Sequence, residues 1–232
     1  MEKQSFAVRL QGAIFYKSLV LMRKTWKVEI EGQEILDRLY AENKHCLLCF
    51  WHGKYIPIFP LLKGYDACVI TNQSERGNVI TEICRKFGFY NAQIPDEPNR
   101  NSYNLMREAM SAKNMCGTAS DGPLGPACQV KSGVVRIASA LGYSLLPVSV
   151  GIRGKIVLKG RWDLREIPLP FAKVCMIFGE PIDLPPNLRG GQVKVWEERA
   201  TKEISALSIQ AETKVEKNKR RKVNATIKGQ VS

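Results

Sequence analysis

The 232-residue chain holds two histidines, His45 and His52. His52 stands at the end of the stretch Cys46-Leu47-Leu48-Cys49-Phe50-Trp51-His52-Gly53-Lys54. An imidazole is the side chain whose ordinary pKa suits acid–base work near neutrality. The apolar run before it, bounded by glycine, reads as a buried strand. A buried strand that ends in His-Gly delivers the imidazole to the sheet edge where open α/β sheets carry their ligand sites. The plainer reading is a structural histidine with a satisfied hydrogen bond. Asp121-Gly122-Pro123-Leu124-Gly125-Pro126 forms a second chemical loop, directly after another apolar strand. Its glycines allow close backbone approach, and free N–H groups in such a turn bind an oxyanion or a phosphate. The plainer reading there is a turn between strand and helix. Lys54, Arg76, Arg100 and Lys131 stand in loops or at helix starts beside these two stretches. Singly each is a solvated charge, and together they suit recognition of a phosphate. A zinc site built from His45, Cys46, Cys49 and His52 is rejected. On a strand Cys46 and Cys49 point to opposite faces, and no second ligand pair follows at zinc-finger spacing.

The elements that must position these residues alternate in type. Strands are expected over 26–31, 46–51, 66–71, 115–119, 144–151, 156–158 and 174–178. Helices are expected over 33–42, 77–87, 102–112, 132–141 and 193–209. Pro57 and Pro60 cut short any helix after His52. Alternating strands and helices predict an α/β fold, a largely parallel central sheet flanked by helices. Residues 1–24 hold an N-terminal amphipathic helix with two apolar stripes. One is Phe6, Leu10, Ala13, Ile14 and Leu21; the other is Val8, Phe15, Leu19 and Met22. A helix apolar on two sides rests either between the body and a lipid interface, or within a core. The body spans 25–213. In 214–228 seven lysines and arginines face one glutamate, so this segment carries +6. It lacks apolar periodicity, and 214–232 is expected to be a disordered basic tail.

Composition is that of a globular protein, with 44% hydrophobic and 25% charged residues. The net charge of +13 is the unusual term. It calls for an anionic partner: a membrane surface, a phosphorylated substrate or nucleic acid. Seven cysteines, an odd number with no secretory signal before them, read as reduced thiols. The longest uncharged run, 137–152, is broken by Gly142 and Pro147 and is too short to cross a bilayer.

The ordered set of motifs resembles the lysophospholipid (glycerolipid) acyltransferase superfamily, in particular a bacterial branch long described only as a domain of unknown function. The residues that carry the resemblance are Trp51-His52-Gly53 and Asp121 to Pro126. Val130-Lys131-Ser132-Gly133-Val134-Val135 and Pro147-Val148 follow. Trp162-Asp163, Ile167 to Phe171 and Gly179-Glu180-Pro181 complete it. The resemblance implies an acyltransferase that takes its acyl group from acyl-CoA or acyl carrier protein as co-substrate. A lipid hydroxyl would receive the group. No metal or cofactor would take part, and the protein would sit peripherally on the cytoplasmic face of a membrane. It implies His52 as general base; Arg100 and Lys131 are expected to hold a phosphate of the acceptor or the donor, with Arg76 and the glycines Gly122 and Gly125 also expected beside the substrate. Three positions depart from the pattern. Pro57 replaces the aspartate that orients the histidine in the wider superfamily. Arg76, beside Glu75, replaces an aspartate before the glycine, and Leu124 replaces an arginine. The acid that orients His52 is therefore expected to be Asp121 or Glu75, with Asp121 preferred because it follows a strand. The rival reading is a non-enzymatic basic module for nucleic acid or membrane on the same fold. No nucleic-acid motif supports it.

Overall fold

The computed structural model describes residues 5–95 and 99–228, with side chains described as far as Glu216. Element order is α1 (Phe6–Thr25), β1 (Lys27–Glu31), α2 (Gln33–Ala41), β2 (Cys46–Phe50), a 3-10 turn (His52–Lys54), α3 (Ile58–Leu61), β3 (Ala67–Asn72), α4 (Glu75–Phe87), β4 (Tyr90–Ile94), α5 (Arg100–Ser111), β5 (Met115–Ala119), α6 (Ser132–Leu141), β6 (Ser144–Val157), β7 (Glu166–Phe178) and α7 (Gly191–Lys228). The seven strands form one sheet in the order β1-β7-β6-β2-β5-β3-β4. β6, β2, β5, β3 and β4 run parallel, while β7 lies antiparallel to β6 and carries β1 parallel to itself. This is the expected α/β class.

β2 is buried at all five positions, as a central parallel strand covered on both faces must be. Its side chains alternate between two cores. Cys46, Leu48 and Phe50 pack with α1, α3 and α4 residues such as Leu19, Phe59 and Phe87. Leu47, Cys49 and Trp51 pack with α5, α6 and α7 residues such as Met110, Val135 and Ile204. The two cysteines thus face opposite sides, and among the described residues no cluster of His, Cys, Asp and Glu could hold a metal ion. The prolines after His52 leave only the four-residue α3.

Two differences from expectation matter. The separate short strands expected near 144–158 are one long β6, which bends at Gly154 and turns back as β7. Of the tail expected over 214–232, the part to Lys228 continues α7, and residues 229–232 lie outside the described ones. Ala200, Ile204, Ala211 and Val215 recur at helical spacing and are buried, the last two against Cys175 and Ile177 of β7. Between them charged residues dilute the pattern, which hid it. Ala211 also needs Gly151 below it, since a Cβ there would come within 2.2 Å of the helix backbone.

Candidate functional site

β2 and β5 are neighbours in register, Phe50 opposite Ala119. Two residues beyond each paired end stand His52 and Asp121, side by side at the carboxyl edge of the sheet. Strand pairing alone brings them together. Asp121 is 1% exposed. Its Oδ1 accepts the backbone N–H of His52 at 2.9 Å, and its Oδ2 accepts the N–H of Cys128 at 3.2 Å. Burial raises its pKa, and these N–H donors offset part of the rise. Asp121 therefore braces the backbone of the histidine and of its own turn.

The carboxylate at the imidazole is a different one. Asp163 Oδ2 lies 3.0 Å from His52 Nδ1. This corrects the expectation that Asp121 or Glu75 orients the ring; Glu75 is exposed at the first turn of α4. The alignment falls short of a full hydrogen bond, and Nδ1 is buried with no hydrogen-bond partner among the described residues. Such contacts commonly tighten only when substrate is bound. Asp163 comes from the hairpin between β6 and β7, which the antiparallel return folds over the sheet edge. The hairpin is closed by the N–H of Leu158 donating to Arg165 O at 2.9 Å. Gly53 is what lets it settle: a Cβ there would meet Asp163 O at 2.3 Å. Arg161 Nε and Arg165 Nη2 hold Asp163 at 2.9 and 2.8 Å. Burial works against the carboxylate, and these two guanidiniums outweigh it, so its pKa is lowered.

His52 is lowered to about 4, first by burial and then by the positive charge of Arg165, with Asp163 working the other way. At neutral pH the imidazole is uncharged. Two aromatic rings flank it, Trp162 at 5.4 Å between centroids and Tyr55 at 5.5 Å, both stacked. Arg165 lies over Tyr55, 4.8 Å from the ring centre. Trp162 also packs against Gly125, where a Cβ would meet its ring at 2.8 Å. The indole thus joins the 121–126 turn to the imidazole. Gly122 and Gly125 both take the left-handed conformation their residue type allows, at φ 70° and 72°. Gly122 N–H is taken by Ala119 O.

The basic residues divide. Lys131 caps α6, and its stem lies against Gly122. Arg76, exposed in the first turn of α4, is close enough to Tyr55 to act on its phenol. Lys131 thus stands at the 121–126 turn, and Arg76 on the side of Tyr55. Arg100 opens α5 without an ion pair among the described residues, and no contact ties it to this cluster. Lys54 is committed elsewhere: it pairs with Glu166 at 2.7 Å and with Glu212 of α7. Lys155 completes this group, 2.9 Å from Glu166 and 2.8 Å from Glu212.

On the α3–α4 side of the site, Leu48, Phe50, Tyr55, Phe59, Phe89 and Gly117 line an apolar cavity of about 40 Å³. A larger concavity of about 410 Å³, between Tyr103, Arg136 and Arg189, contains none of the residues named above.

No family model matches the chain. It is 27% identical over 150 residues to the uncharacterized protein RP090 of Rickettsia prowazekii (strain Madrid E), covering 62% of this chain and 67% of that protein. Among solved structures it is similar to the 1-acyl-sn-glycerophosphate acyltransferase PlsC from Thermotoga maritima, at 18% identity and a TM-score of 0.47. That match covers 86% of this chain and 80% of the other.

Proposed function

We propose that the chain is an O-acyltransferase that moves a fatty acyl group from an acyl thioester to a hydroxyl of a lysophospholipid or related lipid. The observation that carries this is the uncharged His52 imidazole at the sheet edge with Asp163 at its Nδ1. A hydroxyl is a poor nucleophile near neutral pH and needs a base within reach. Asp163 holds the tautomer with the proton on Nδ1, which leaves Nε2 to accept. The acceptor's oxygen attacks the thioester carbonyl as Nε2 takes its proton. Asp163 stabilises the imidazolium that forms. The tetrahedral oxyanion is received by N–H groups of the 121–126 turn. The carbon–sulfur bond then breaks, and the imidazolium returns the proton to the thiolate.

Arg76 and Lys131 serve a phosphate on the acceptor or the donor. The apolar cavity beside Tyr55 marks where the acyl chain enters, although about 40 Å³ is room for only its first carbons. α1, with Phe6, Leu10, Ile14 and Leu21 exposed, rests on a lipid surface. Among the described residues no helix is long and apolar enough to cross a membrane. The resemblance in the ordered motifs points the same way.

The test is direct. Purified protein is given labelled acyl-CoA or acyl carrier protein with lysophospholipids, and products are read by lipid mass spectrometry. Transfer that disappears in His52→Ala with the fold retained by circular dichroism is expected. Transfer undiminished in that variant removes His52, and no transfer to any lipid removes the reading.

A further inference from the structure

α1 is 20 residues long and carries Arg9, Lys17, Arg23 and Lys24 but no acidic residue. It packs on the body through Gly12, Tyr16 and Leu19. Gly12 seats against the stem of Glu82, and Tyr16 meets Phe87 edge-on. Its outer side keeps Phe6, Leu10, Ile14 and Leu21 exposed. Leu10 and Ile14 are four residues apart, Ile14 and Leu21 seven, and Leu21 and Thr25 four. These spacings put them on one line along the helix.

At the end of that line the backbone of another element arrives. β7 leaves its pairing with β6 between Pro168, opposite Lys155, and Lys173, opposite Arg153. The excursion pushes out Leu169, Pro170 and Phe171. Phe171 is 78% exposed and stands at φ 63°, a left-handed conformation that side chains rarely adopt. Two bonds to the end of α1 hold it there. Phe171 N–H donates to Thr25 Oγ1 at 2.9 Å, and Trp26 Nε1 donates to Leu169 O at 3.1 Å. A strained bulge that displays an aromatic ring to solvent, and is tied to the line of exposed apolar residues on α1, is a structural arrangement that the packing of the body does not require.

We propose that the Leu169–Phe171 bulge is a second apolar anchor that extends the α1 ridge, and that the two together dock on an anionic lipid surface. This rests on the reading of α1 as interfacial and adds to it a fixed second point, which sets the tilt of the domain on the bilayer. Charge selects the occupant. α1 carries +4 with no carboxylate, and Lys27 follows directly. A second copy of the chain would set this face against its like, whereas phosphatidylglycerol headgroups complement it.

Phe171→Gly is the informative variant, because glycine suits the left-handed backbone while removing the ring. The fold should hold, with an unfolding transition no lower than that of the parent. Flotation with phosphatidylcholine vesicles containing phosphatidylglycerol should weaken about tenfold, the scale of one aromatic side chain leaving an apolar phase. Phe171→Trp should be quenched by lipids brominated in the chain beyond the quenching of the four native tryptophans. Transfer to a short-chain acceptor without vesicles should be unchanged, so failure of the anchor and failure of the acyltransferase reading give different results. Flotation of Phe171→Gly equal to the parent, or no added quenching in Phe171→Trp, overturns the anchor. So does a parent that light scattering finds dimeric and Phe171→Gly finds monomeric, since a second copy then covers the ridge.

Discussion

His52 takes its imidazole partner and its backbone partner from two different aspartates: Asp163 Oδ2 lies 3.0 Å from Nδ1, while Asp121 Oδ1 accepts the His52 N–H at 2.9 Å. One acid can set the tautomer while the other fixes where the ring starts. The two roles should separate in variants.

Asp163→Asn should lower kcat by about a hundred- to ten-thousandfold with little change in KM, because the tautomer and the imidazolium lose their support. Arg161 and Arg165 also lose their carboxylate, so some stability goes with it. Asp121→Asn should act chiefly on stability through the His52 and Cys128 N–H groups. Steady-state kinetics beside thermal unfolding of both proteins checks the division; equal loss of kcat in the two would refute it.

The pH dependence follows from His52 at about 4. In the unfolded chain the imidazole takes its proton near pH 6.5. Above that the group contributes nothing to the pH dependence. As pH falls from 6.5 toward 4 the unfolded state gains the proton and the folded state does not, so stability declines, by up to about 3 kcal/mol. His52→Gln should flatten that part of the curve in urea unfolding between pH 8 and pH 4.5. The acid limb of kcat/KM in the free protein should fall well below pH 6.5. A limb at 6.5 would mean that the imidazole is not desolvated as described.

Gly53→Ala should separate the hairpin from the histidine. A Cβ there would lie 2.3 Å from Asp163 O, so the loop must lift. About 1–3 kcal/mol of stability is lost by overpacking of this kind, and activity should fall as with Asp163→Asn. Parental kcat in the Gly53→Ala protein would show that the hairpin contact is dispensable.

Ending the chain after Glu216 keeps every described side chain of α7 in place. Ending it after Ile209 removes Ala211, Glu212 and Val215, and should cost several kcal/mol from lost burial and from carboxylate support for Lys54 and Lys155. Comparing the two truncations by denaturant unfolding decides the matter.

Much of this architecture is legible in the residues. The apolar run 47–51 and the strand before Asp121 are short enough to be strands, and parallel pairing then forces His52 and Asp121 to one edge. Asp163 was not legible as the partner of His52, because no periodicity says where a hairpin will fold. Its local signal was Arg161-Trp162-Asp163-Leu164-Arg165, an acid between two arginines, an arrangement that keeps a buried carboxylate charged. Lys54 misled for the opposite reason: a lysine two residues from a histidine looks free until α7 supplies Glu212. On α1 the two stripes divide unequally. Leu19 is buried, while Phe15, expected on the same side, is exposed.

The long reach of α7 also orders events in time. His52 is made first, Asp163 emerges from the ribosome only after β6, and Glu212 later still, with α7. Any nascent fragment that stops short of the hairpin carries His52 without Asp163. One that stops short of Glu212 leaves Lys54 with one carboxylate fewer beside the imidazole. The contacts of the β2 edge are thus completed in a fixed order, the hairpin carboxylate first and the α7 carboxylate after it.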